Sequence, residues 1–89
     1  MNRLSFSSSG NTVPFYAALN AEERRSINRA FDYIQDFPYE HGDVITRRLA
    51  DPVTWYEFHD GQWRILYTME SRSDTPLSKE ISVFAIGYA

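Results

Sequence analysis

The sequence has no cysteine, which excludes both a disulfide framework and a thiolate metal site and leaves the fold to rest on packing alone. It is also short of positive charge. Nine Lys and Arg against twelve Asp and Glu leave a formal net charge of -3, so no global field draws the chain toward nucleic acid and any phosphate contact must be local. No apolar run approaches the roughly 20 residues that span a bilayer, and the opening "MNRLSFSSSG" lacks the apolar segment of a secretory signal. The expectation is therefore a cytoplasmic protein without membrane association. Histidine is scarce too. His41 has Glu40 and Asp43 nearby but no second histidine at ligand spacing, so no metal and no cofactor is expected.

Aromatic residues are what the chain has in quantity, at 16% of its 89 residues within an apolar fraction of 43%. That composition belongs to a packed chain, and the length suits one domain spanning 1–89.

Leu4 and Phe6 alternate with polar neighbours across 3–8, the pattern of a short half-buried strand. Beyond the breaker group "SGNT", the segment "VPFYAAL" predicts a short helix with Pro14 in its opening turn, where proline is tolerated. Asn20 followed by Glu23 three residues on is a capping-box arrangement, with Glu22 and Glu23 placed where the helix dipole favours anions. Ile27, Ala30, Phe31 and Ile34 then recur at helical spacing, and Pro38 closes the helix near Phe37. The stretch "YEHGDVITRRLADP" has no clean period and reads as a connector holding a turn of helix around 44–49.

From Val53 the pattern changes to strand. Asp60-Gly61 between two alternating aromatic runs predicts a two-residue hairpin turn joining 53–59 to 62–70, both turn residues taking positive φ. A polar loop, "SRSDTPLS", leads to a last apolar strand, "EISVFAIGYA". The expected fold class is α+β, with an N-terminal strand, two helices, then an antiparallel sheet of three further strands packed against the helices.

In that register Glu57 lies opposite Arg64, Phe58 opposite Trp63 and His59 opposite Gln62. Alternation then separates the faces. Tyr56, Phe58, Trp63, Ile65, Tyr67 and Met69 form the apolar side, and Trp55, Glu57, His59, Gln62, Arg64 and Leu66 the other. A Glu opposite an Arg is in its simplest form a cross-strand pair contributing a few tenths to about 1 kcal/mol. The same residues also form a chemical set: a cation that keeps its proton, a histidine that titrates near neutrality and a carboxylate.

The chain from Asn20 onward resembles the RelE/ParE superfamily of toxin–antitoxin toxins, with the HigB-type branch suggested by "YEF". The resemblance rests on the "RRL" step at Arg47 to Leu49, the block "WYEFHDGQWRILYTME" and the close "ISVFAIGYA". Tyr56, Gly61, Trp63, Arg64, Ile65, Leu66 and Tyr67 fill the superfamily's aromatic, glycine, aromatic-Arg, hydrophobic, tyrosine pattern. It implies a RelE/ParE-like fold and a toxin held by a cognate antitoxin, as a homodimer or a toxin–antitoxin hetero-oligomer. RelE-like members are ribosome-dependent mRNA endonucleases that act without a metal, whereas ParE-like members poison gyrase. Carried over residue by residue, Arg64 is the central cation, Glu57 or His59 the base, and His59 or Tyr88 the acid. Glu57 and His59 stand at positions that are often Lys or Arg, and the terminal "GYA" lacks a basic residue after its glycine. The alternative implied is a non-catalytic or degenerate interaction module of the same fold, binding an antitoxin or gyrase.

Arg24, Arg25 and Arg29, extended by Arg47 and Arg48, make a candidate basic patch for RNA backbone, and Trp55 a candidate base-stacking platform. The simpler expectation for such arginines is a solvated helix face paired with Glu22, Glu23 or Asp32. The unpaired edge of the sheet is a candidate docking place for an antitoxin segment.

Overall fold

A computed structural model describes residues 2–37, 42–45, 55–71 and 78–89, with backbone alone for 42–45 and 71. The elements run β1 (Arg3–Phe6), α1 (Thr12–Ala18), α2 (Ala21–Asp36), β2 (Gly42–Ile45), β3 (Trp55–His59), β4 (Trp63–Ser71) and β5 (Lys79–Tyr88). They form a small α+β domain in which two helices cover one face of a mixed sheet of order β1-β5-β4-β3-β2. Among the described residues no helix is long and apolar enough to cross a membrane.

The start of α2 follows its sequence. The Asn20 side chain accepts from the Glu23 N–H at 2.8 Å while Glu23 Oε1 accepts from the Asn20 N–H at 3.1 Å, so two otherwise orphaned donors are satisfied. Ile27, Ala30, Phe31 and Ile34 are buried against Phe58, Trp63, Ile65, Tyr67, Ile81, Val83 and Ile86 of the sheet. At roughly 1.5–3 kcal/mol for each large apolar side chain removed from water, this layer supplies most of the driving force for folding.

Three expectations need correction. The segment read as a connector with a helical turn begins as a strand: Gly42–Ile45 pairs antiparallel with β3, a contact without local periodicity to announce it, and the remainder, 46–49, lies outside the described residues. The sheet therefore has a fifth strand. It is also mixed rather than antiparallel throughout, because β1 runs parallel to β5, with Arg3 against Glu80 and Phe6 against Val83.

The third concerns the hairpin register, which is displaced by two residues: His59 faces Arg64, Phe58 faces Ile65 and Glu57 faces Leu66. The turn's central pair is Gly61-Gln62. Gly61 has φ +86° and Asp60 has no positive φ, which puts glycine first in the pair as a type II′ turn requires. Asp60 instead contributes its carboxylate, which accepts from the N–H groups of Gln62 at 2.9 Å and Trp63 at 2.7 Å. A displacement of two preserves which side chains share a face. The exception is Gln62, which as a turn residue reaches the helix side and accepts from Ser26 Oγ at 2.8 Å.

β5 carries a bulge. Leu66 pairs with Ala85 but Tyr67 with Val83, leaving Phe84 as the extra residue. Asn11 secures the stretch beyond it, since its amide nitrogen donates to the Ile86 carbonyl at 3.0 Å and its oxygen accepts from the Ile86 N–H at 2.9 Å. The loop carrying Asn11 comes very close to the bulge. A Cβ at Gly10 would stand 1.6 Å from the Phe84 carbonyl oxygen.

Candidate functional site

On the face of the sheet away from the helices, the hairpin gathers Glu57, His59 and Arg64 around one oxygen atom. Arg64 donates to Glu57 Oε1 through Nη2 at 3.0 Å and Nε at 3.2 Å, and His59 Nε2 bonds the same oxygen. The geometry follows from the register. His59 and Arg64 are directly opposed across the ladder, and Glu57, two residues from His59 on the same face, reaches Arg64 diagonally.

Exposure differs sharply within the cluster. The Glu57 side chain is 13% exposed, against 43% for His59 and 54% for Arg64, so the carboxylate lies beneath two nitrogenous groups that meet solvent. Desolvation works to raise the Glu57 pKa, but hydrogen bonds from Arg64 and His59, with their charges, outweigh it and hold the carboxyl below its usual range. Glu57 is thus ionised at neutral pH.

Beside the cluster lies a groove of about 270 Å³ walled by Glu57 and Arg64 and floored by Leu66, Ala85 and Gly87. Gly87 and Ala85 are the residues opposite Arg64 and Leu66, so the sheet surface sinks there for want of side chains. Trp55 is half-buried on the same face, with its ring edge-on to Phe84 at 4.8 Å between centroids. The site therefore sets a hydrogen-bonding carboxylate, a histidine and a guanidinium against an apolar floor. Such a set can bind an anion and move a proton.

Tyr88 borders the groove as well, but its ring does not join the cluster. Its partner across the ladder is Trp63, on which it stacks at 5.3 Å, and its hydroxyl donates to Glu23 Oε2 at 2.9 Å on the helix side. That hydrogen bond, with lesser contributions from desolvation and the Glu23 charge, raises the phenol's pKa. The bulge is the cause. Counting by twos from the inward-facing Val83 puts position 88 on the open face, and the extra residue at Phe84 reverses that.

The basic patch is also divided. Arg24 serves the fold: its Nη2 donates to the Ala17 carbonyl at 2.8 Å and its guanidinium lies 5.6 Å from the Tyr16 ring centre, closing the end of α1 onto α2. Arg25 and Arg29 are exposed on α2, away from Glu57, although Arg29 lines a second groove that His59 also borders. Among the described residues neither makes an ion pair with Glu22, Glu23 or Asp32. Arg47, Arg48 and His41 lie outside the described residues. Sequence reasoning missed the floor of Ala85 and Gly87 and the contact of Trp55 with Phe84. Its available signal was the irregular alternation of "VFAIGY", which a bulge explains.

No protein-family model matches the chain, and no curated protein matches it in sequence.

Proposed function

We propose that this chain is the toxin component of a toxin–antitoxin pair with a RelE/ParE-like domain, acting as a ribosome-dependent, metal-independent mRNA endonuclease. The observation that carries this reading is the convergence of Glu57, His59 and Arg64 on one exposed groove. In the proposed reaction the ribose 2′-oxygen attacks the adjacent phosphorus and the bond to the 5′-oxygen breaks, giving a 2′,3′-cyclic phosphate and a free 5′-hydroxyl. Glu57 takes the 2′-proton. His59 in its protonated form delivers a proton to the leaving 5′-oxygen, and Arg64 balances the charge that builds on the phosphate. With Tyr88 turned to the helix side, His59 is the acid that remains from the expected set.

The test is a cell-free translation reaction programmed with a defined message, with new 5′ ends mapped in the presence and absence of ribosomes. Cuts confined to translated message are expected. An intact message at high protein excess overturns the reading.

One observation favours a second reading, a non-catalytic interaction module on the same fold that binds an antitoxin or gyrase. Arg64 spends its hydrogen bonds on Glu57, which offsets the charge a phosphate would meet. Unchanged growth arrest by the Arg64→Ala variant would favour that module.

A further inference from the structure

We infer that Glu57 is a resident anion in a phosphate-binding site made by Arg64 and His59, and that substrate enters by exchange, taking Arg64 from the carboxylate. This deepens the endonuclease reading and rests on it for the identity of the phosphate.

The argument is geometric. All three interactions fall on a single carboxylate oxygen, Oε1, while among the described residues Oε2 has no hydrogen bond. An arginine built into a permanent structural pair commonly meets a carboxylate fork to fork, with two parallel bonds to two oxygens. Here both bonds converge on one atom, and the Arg64 side chain is more than half exposed at 54%. Arg64 is therefore free to swing outward over the groove, where Gly87 opposite it adds no side chain. The carboxylate cannot follow, being 13% exposed beneath its partners.

Exchange has a chemical consequence. As long as Arg64 and His59 hold Oε1, their hydrogen bonds keep Glu57 a weak base. When Arg64 turns to a phosphate that restraint is lifted, and the carboxylate left behind gains proton affinity beside the 2′-hydroxyl. Binding and base activation become one event.

The experiment measures binding, with no cleavage involved. A fluorescent 2′-O-methyl RNA dodecamer, which lacks the attacking hydroxyl, is titrated by anisotropy against the unaltered protein, E57Q, R64A and the double variant, with pyrophosphate as a competing probe and melting curves confirming folding. E57Q should bind both probes about tenfold more tightly, since one like charge and one competitor for Arg64 are removed together. The gain should vanish in the double variant. A gain that persists without Arg64 is a general effect of net charge and overturns the proposal, as does equal or weaker binding by folded E57Q. A gain for pyrophosphate but none for RNA upholds the exchange site and removes RNA as its ligand.

Discussion

The helix-covered face of the sheet and its open face alternate along the same strands, yet they are secured in different ways. On the covered face each residue has several independent supports. Trp63 is fully buried, stacks on Tyr88, meets Phe15 edge-on and donates its indole N–H to Ser26 Oγ at 3.0 Å. On the open face Glu57, His59 and Arg64 depend on one another, and two of the three are well exposed. Redundant apolar packing fixes a position against change. Mutual polar contact among exposed groups leaves a position easier to rearrange, and the proposed site lies on that face.

The largest effect should come from breaking the covered face. Trp63→Ala removes the largest fully buried side chain and should cost about 3–5 kcal/mol, a large part of what a domain this size has, read from denaturant midpoints. On the open face the same truncation should separate the two properties. On the proposed endonuclease reading, Arg64→Ala should lower cleavage about a hundredfold or more while stability stays within about 1 kcal/mol, because exposed pairs contribute little. Comparable losses of stability at both positions would collapse the distinction.

Alkaline pH sharpens it from another side. Burial, with Tyr56 adding to it, pushes the Tyr67 phenol up to about 12, so the native state favours the neutral ring. The resulting stability is whole below the unfolded value of about 10 and is lost as pH rises from there through about 12. Tyr67→Phe should move the alkaline unfolding limb upward in a pH-dependent melt and leave the neutral-pH groove intact. The smallest effect belongs to neither face: Asn20→Ala, which removes the cap of α2, should cost about 1 kcal/mol by thermal melting.

The sequence was most legible where structure is local. The α2 cap and its buried stripe are set by spacings of three and four, and the two faces of the hairpin by alternation, which survives a register displaced by two. The displacement itself was hidden in Asp60, whose carboxylate stands in for a backbone carbonyl and moves the turn one residue onward. Long-range pairing left no such trace. Nothing local in "RLSF" selects β5 as its partner, and nothing in "GDVI" marks an added strand. For the site, three of the four expected catalytic residues share one face because they lie within a single hairpin. Tyr88 lies past the bulge, where one inserted residue exchanges inside for outside.

The parallel pairing of β1 with β5 also imposes an order in time. Arg3 is made well before its partner Glu80, so β1 must wait for β5 before it has a ladder to join. Asn2, Asn11 and Thr12 wait with it, because each completes its hydrogen bonds on β5. Contacts so distant along the chain are slow to close. The β3–β4 hairpin, by contrast, has all it needs within seventeen consecutive residues, 55–71. The charged cluster therefore needs only local contacts, whereas the floor of its groove is added when β5 closes the sheet.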